Sequence, residues 1–259
     1  MLAATEDWLA LDKSAGFGTR AHPWDETPDL DGALNVQLEA EKPELQRTGA
    51  SLFGSAYYLD PEISGVALFA KNRDALTDLR NHFGSADCKF TFHFVAARGS
   101  AGASGAAPTQ SGSTGEGGQT VAFQADAPLL PHRVKHKMIP STAKGKKSFT
   151  RFKRLAETDK GWVFWQAEVD FFRPHQVRAH AATHGIPVMG DALYDGPVAP
   201  TVRQLQPRAR RSDSEAPVYQ GLAIHLSRAE IPQAEKSLVI ESPLPKAFAL
   251  LLKRLGVEL

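Results

Sequence analysis

The chain has 259 residues, 42% of them hydrophobic and 23% charged, with a formal net charge of +1. That composition excludes a disordered chain, which combines low hydrophobicity with high net charge. The near-zero total also speaks against a nucleic-acid partner, because such domains are usually basic. The single cysteine, Cys88, excludes an intramolecular disulfide, fits a reducing cytoplasm, and is expected as a packed thiol at the start of a strand. The first residues lack a basic segment followed by an apolar stretch, so no signal peptide is expected. No window approaches the roughly 18 consecutive apolar residues of a membrane span.

Taken in chain order, residues 7–17 predict a short strand ended by a Gly-containing turn, and residues 23–47 an acidic, proline-containing loop. Residues 65–70 predict a buried strand. The spacing of Ala75, Leu76, Leu79 and Phe83 predicts an amphipathic helix over 73–83, ended by Gly84. Residues 89–96 alternate as a strand does, with Phe90, Phe92 and Phe94 on one face. Residues 99–118 contain seven Gly, four Ser and four Ala, which predicts a flexible surface insertion. Residues 133–154 carry nine Lys and Arg and no Asp or Glu. Residues 161–172 read as a long aromatic-rich strand. Pro174 and Gly185 bracket a predicted helix over 174–184. A second loop over 196–217 carries Arg203, Arg208, Arg210 and Arg211, and an amphipathic helix is predicted over 245–255. Strands and helices interleave irregularly, which favours an α+β architecture.

The run Phe172-Arg173-Pro174-His175-Gln176-Val177-Arg178-Ala179-His180 carries the chemistry, together with His184-Gly185-Ile186-Pro187-Val188-Met189-Gly190-Asp191-Ala192-Leu193-Tyr194. His175 and Arg178 share a helix face, and an arginine buried there needs an anion. From spacing alone that anion reads as the partner in a structural ion pair. The matches at Arg173, His175, Gln176, Arg178, His180, Gly185, Pro187, Gly190, Asp191 and Tyr194 resemble the signature of the RluA-type RNA pseudouridine synthases. The resemblance continues through Leu11-Asp12-Lys13-Ser14-Ala15-Gly16-Phe17 and Tyr57-Tyr58-Leu59-Asp60-Pro61-Glu62-Ile63-Ser64-Gly65-Val66. It also covers Gly145-Lys146-Lys147-Ser148-Phe149-Thr150, Ala223-Ile224-His225 and Ser242-Pro243-Leu244-Pro245.

The resemblance implies the pseudouridine synthase fold, a mixed and mostly antiparallel sheet flanked by helices with a central cleft. It implies one catalytic domain over 1–259, interrupted by the insertion, without the accessory S4-type domain some members carry. Asp60 becomes the catalytic carboxylate and Arg178 its charge partner, with no metal and no cofactor. The reaction turns a specific uridine into pseudouridine in structured ribosomal or transfer RNA. A second reading keeps the fold and RNA binding without catalysis.

Several positions depart from the family pattern. Tyr57 and Tyr58 replace a His and the Arg that helps fill the place of a flipped base. An aromatic ring can stack on bases, so Tyr58 is an RNA-contact candidate, against the alternative that both tyrosines pack. Thr91 replaces a tyrosine whose ring stacks on uracil; Phe90 and Phe92 alternate onto the opposite face and are expected in the core. Pro174 and Ile63 each replace a threonine. His180 and His184 have a spacing that can bind metal, but no Glu follows His180 as in a zinc hydrolase helix.

Arg173, His175, Gln176, Lys135, Lys137, Lys146 and Lys147 are the remaining RNA-binding candidates. The basic run reads either as a solvated face or as phosphate contacts. Residues 1–65 carry twelve acids and four bases, a balance of −8, whereas residues 66–259 carry 26 bases and 17 acids, a balance of +9. The total therefore hides a basic region, and its distribution supports RNA as the partner. No membrane association and no obligatory protein partner are expected.

Overall fold

The computed structural model describes residues 1–99, 121–206, 215–233 and 237–258. In chain order the first elements are β1 (Ala3–Ala4), β2 (Trp8–Lys13), α1 (Leu30–Glu39), α2 (Pro43–Gln46), β3 (Ser64–Ala70) and α3 (Arg73–Gly84). Then come β4 (Lys89–Ala97), β5 (Ala122–Ala125), β6 (Leu129–Pro131), β7 (Met138–Pro140), β8 (Thr150–Glu157) and β9 (Trp162–Val169). The last are α4 (Gln176–Thr183), a 3-10 turn (Ala192–Tyr194), α5 (Val202–Leu205), β10 (Ile224–Ile231), β11 (Leu238–Glu241) and α6 (Lys246–Leu255). The architecture is α+β. Among the described residues no helix is long and apolar enough to cross a membrane.

The chain divides into two compact units. Unit 1 comprises Met1–Thr91, Val169–Pro174 and His225–Pro243. Here β2 pairs antiparallel with β1 and β3, β3 pairs parallel with β10, and β11 lies antiparallel on β10. Every residue of β3 is buried, as befits a strand covered on both faces. Its register against β10 sets Ser64 opposite His225 and Gly65 opposite Leu226. Ser64 Oγ lies 2.9 Å from His225 Nδ1, and His225 Nε2 lies 3.2 Å from the Ser242 carbonyl oxygen. Burial pushes the pKa of that imidazole down. Gly65 is required here: its φ is +129°, and a Cβ would stand 2.1 Å from the Leu226 carbonyl oxygen.

Residues 23–47, expected as an acidic loop, hold α1 and α2. Leu30, Leu34 and Leu38, one turn apart, pack on Leu9, Phe53, Ala67 and Phe69. Asp29 caps α1 by accepting from the Gly32 amide at 2.8 Å, and Pro43 opens α2. A second apolar cluster in unit 1 joins Tyr57, Phe83, Phe90 and Phe172 through edge-on and tilted ring contacts. Cys88 is buried nearby in sequence, and its thiol is pushed up to about 12 by burial, which suits packing rather than nucleophilic work.

Unit 2 comprises Phe92–Glu168, His175–Ile224 and Leu244–Leu259. Its strands run in the order β4-β9-β8-β5, and β6 and β7 form a separate antiparallel hairpin. The core gathers Phe164, Met189 and Ala223 with Phe248, Leu251, Leu252 and Leu255 of α6. Expected boundaries shift in three places. The first strand ends at Lys13, the aromatic strand ends at Val169, and α4 starts at Gln176 instead of residue 174. His175 stops the helix from starting earlier because it sits at φ 55° and ψ 11°, left-handed backbone that a β-carbon disfavours. Gly185, at φ +73°, ends the helix as expected. Within the loop expected over 196–217, Val202–Leu205 is helical with a capping box from Thr201 and Gln204. Arg208, Arg210 and Arg211 lie outside the described residues, as does the insertion beyond Gly99.

Candidate active site

Asp60 belongs to unit 1 and is 2% exposed. Side chains hold the main chain around it. Thr19 Oγ1 donates to the Tyr57 carbonyl at 2.8 Å and accepts from the Leu59 amide at 2.9 Å. The Ile63 amide donates to the Asp60 carbonyl at 3.1 Å, and the Gly16 amide to the Pro61 carbonyl at 2.7 Å. Lys13 Nζ reaches four carbonyl oxygens, those of Phe17 at 2.6 Å, Pro61 at 3.2 Å, and Ser14 and Asp60 at 3.3 Å. Burial lowers the Lys13 pKa to about 8, against the attraction of Asp60, Glu62 and Asp25, which favours its charged form. A cation therefore faces the Asp60 turn.

The tyrosines before Asp60 are committed to protein contacts. Tyr57 Oη donates to the Val66 carbonyl and accepts from the Leu68 amide, both at 3.0 Å. Tyr58 is 8% exposed. Its hydroxyl donates to the Asp25 carboxylate, with oxygens at 2.7 and 2.9 Å, and its ring lies 4.4 Å from that of His22. Burial raises both phenolic pKa values. Thr91 is half-buried, and its carbonyl accepts from Ser227 Oγ at 3.0 Å. Phe90 and Phe92 are buried, as their alternation predicts. Arg173, half-buried, lays its guanidinium over the Phe171 ring at 5.2 Å.

In unit 2 the side chains hold one another. Arg178 is 2% exposed and forms a bidentate pair with Asp191, Nε to Oδ2 at 2.7 Å and Nη2 to Oδ1 at 3.0 Å. Asp191 is the anion that a buried arginine requires. Gly190 sets up this turn at φ +84°, where a Cβ would stand 2.0 Å from the Gly221 carbonyl oxygen. The Arg178 guanidinium also lies over the Tyr194 ring at 5.4 Å. His175 Nδ1 is 3.2 Å from Tyr194 Oη. Gln176 is buried, and its amide donates to the Phe149 carbonyl at 2.8 Å. His180 uses both ring nitrogens, on Thr150 Oγ1 at 2.8 Å and the Ala127 carbonyl at 2.9 Å. Its pKa is pushed down, by burial above all.

The basic candidates also belong to unit 2. Lys135, Lys146 and Lys147 are exposed, whereas Lys137 is half-buried and directs Nζ over the Tyr194 ring at 5.3 Å. His132 Nδ1 accepts from the Val134 and Lys135 amides at 3.1 and 2.9 Å and shapes the turn that presents Lys135. Sequence reasoning left out Lys13, Thr19, Asp191 and Tyr194. Lys13, Asp191 and Tyr194 lie inside the quoted motifs, and a lysine closing an apolar strand was a usable signal. Thr19 carries no such mark.

No family model matches the chain. It is 26% identical over 246 residues to ribosomal large subunit pseudouridine synthase D of Haemophilus ducreyi, covering 92% of this chain and 65% of that protein. The chain thus spans just under two thirds of that relative's length. The protein of the same name from Pseudomonas aeruginosa is 25% identical over 254 residues, covering 96% of this chain and 69% of that one. RNA pseudouridine synthase 2, chloroplastic, of Arabidopsis thaliana is 35% identical over 91 residues, 32% of this chain and 20% of that protein. Among solved structures, human RNA pseudouridylate synthase domain containing 4 superposes with a TM-score of 0.69 at 18% identity, covering 100% of this chain and 93% of that one. Human RNA pseudouridylate synthase domain containing 1 gives 0.58 at 17% identity, over 94% and 82%. The fold is that of the pseudouridine synthases. Relatives named as pseudouridine synthases align over nearly the whole length of the chain.

Proposed function

We propose that this protein isomerises a specific uridine to pseudouridine in ribosomal or transfer RNA, in the cytoplasm, as one catalytic domain over residues 1–259. The observation that carries the reading is Asp60, buried at 2% exposure on a turn fastened by Lys13, Thr19 and Gly16. In the reaction the bond from ribose C1′ to uracil N1 breaks, the base turns, and C1′ bonds to C5; C5 then loses its proton and N1 takes one up. A carboxylate serves this chemistry by attacking C1′ or by stabilising an oxocarbenium-like ribose. Asp60 is the catalytic group and Arg178 its charge partner. Tyr58, Thr91, Arg173, His175 and Gln176 line the RNA path, and Lys135, Lys137, Lys146 and Lys147 take its phosphates. The names of the bacterial relatives point to large-subunit ribosomal RNA as the first substrate to try.

The test is tritium release from RNA labelled at uracil C5, prepared from a strain lacking the protein. Wild type releases tritium, and Asp60→Asn releases none while keeping its fold. Release by Asp60→Asn at the wild-type rate overturns the assignment. A second reading, RNA binding without catalysis, has two observations in its favour: Tyr58 is tied to Asp25, and Thr91 brings no ring to its position. It predicts RNA binding with no tritium release from wild type.

A further inference from the structure

One tyrosine in unit 2 gathers contacts from two separate segments. Tyr194 Oη accepts from the Met138 amide at 2.8 Å and lies 3.2 Å from both the Met138 carbonyl oxygen and His175 Nδ1. Its ring meets Lys137 Nζ at 5.3 Å and the Arg178 guanidinium at 5.4 Å. Lys137 Nζ also donates to the Leu193 carbonyl at 3.3 Å, the residue before Tyr194. Met138 opens β7, the second strand of the hairpin whose turn presents Lys135. His175 and Arg178 belong to the motif helix, and His175 holds a left-handed backbone. Strain of that kind persists only where surrounding contacts enforce it.

The hydroxyl has one proton, with Met138 O and His175 Nδ1 at equal distance; Nδ1 accepts that proton or donates its own according to the tautomer. A small shift of β7 changes which of the two contacts the hydroxyl keeps. The ring face is shared in the same way, because a Lys137 drawn toward a phosphate leaves the ring to Arg178 alone. Both effects run from the basic hairpin toward the motif helix.

We infer that Tyr194 is a positioning residue that couples the basic β6–β7 hairpin to His175 and Arg178, so that RNA held by the hairpin sets the geometry of the motif helix. The inference rests on the proposed RNA partner and goes beyond it, by making RNA binding and site geometry interdependent. The expected observation uses the 15N-labelled full chain and a short synthetic RNA stem-loop. In wild type the Arg178 Nε–H and His175 ring resonances move as RNA binds. In Tyr194→Phe, which keeps the ring, RNA affinity stays within about twofold and those resonances stay still. Lys137→Met, which keeps the hydroxyl, moves them by less than wild type. In tritium release Tyr194→Phe loses about tenfold or more in kcat with little change in KM.

Resonances that move in Tyr194→Phe as in wild type overturn the coupling, as do wild-type resonances unmoved by bound RNA. So does a Tyr194→Phe protein that loses stability but keeps kcat, since that is a packing role only. A wild-type chain that binds no RNA overturns the proposed function itself, and the coupling with it.

Discussion

Around Asp60 side chains grip the main chain, whereas around Arg178 side chains grip one another. Lys13 and Thr19 bind carbonyls and an amide of the Asp60 turn. Arg178, Asp191, His175 and Tyr194 interlock through charges, a ring and a hydroxyl. The departures noted above, Tyr57, Tyr58, Ile63, Thr91 and Pro174, belong to unit 1, beside the matching Lys13, Asp60 and Arg173, whereas the interlocked and matching Arg178, Asp191 and Tyr194 belong to unit 2. A site held by its backbone accepts new side chains beside it. A site held by mutual side-chain contacts does not, because each replacement strands a buried partner.

The sharpest way to break this contrast is Asp191→Asn. It leaves the Arg178 charge buried without its carboxylate and is expected to cost about 3–5 kcal/mol in a denaturant titration. A cost as small as that of an exposed ion pair would show that the interlock is not what holds unit 2.

Lys13 tests the other side. Its folded pKa of about 8 lies below the ordinary 10.5, so the folded state releases the proton first. Below pH 8 the full cost of burying the charge is present; between pH 8 and 10.5 it is relieved and stability rises with pH. Relative to Lys13→Met, wild type should gain about 3 kcal/mol across that window. A flat difference would mean that Lys13 stays charged and acts through its hydrogen bonds alone.

Reversing Lys146 and Lys147 to Glu should weaken RNA binding uniformly and reduce the slope of log affinity against log salt by about two. An unchanged slope would make the basic run a solvated face. The smallest effect belongs to Asp31, whose carboxyl is pushed up to about 6, by burial above all, while Oδ1 accepts from the Ser55 amide at 2.9 Å. Its folded pKa lies above the unfolded value of 3.8, so stability is lost as pH rises from 4 to 6. Asp31→Asn keeps the acceptor and should add about 1 kcal/mol at pH 7 and nothing at pH 3. Equal effects at both values would locate the cost outside ionisation.

The motif residues and most strands were legible because their signals are local. Phe90, Phe92 and Phe94 alternate, and β4 buries all three. Helix α1 was hidden because acids and prolines around it masked the period of Leu30, Leu34 and Leu38. The left-handed His175 carries no compositional mark, since its conformation comes from tertiary contacts. Arg178 announced its need for an anion, and its spacing could not name Asp191, thirteen residues on and across a turn. The bond from Tyr58 to Asp25 spans a stretch of chain in which nothing pairs the two.

The pairing of Ser64 with His225 has a consequence for how β3 finds its place. A strand buried on both faces has no polar side to forbid a slip, so hydrophobic pattern alone specifies its register weakly. A slip by one residue would carry the preceding Asp60 about 3.3 Å along the strand axis. It would also strand the Ser64 hydroxyl and the His225 ring in an apolar core and drive a side chain into the gap at Gly65. One buried hydrogen bond and one missing Cβ thus act as a notch and key, converting a slippery strand into a fixed ruler for the Asp60 carboxylate.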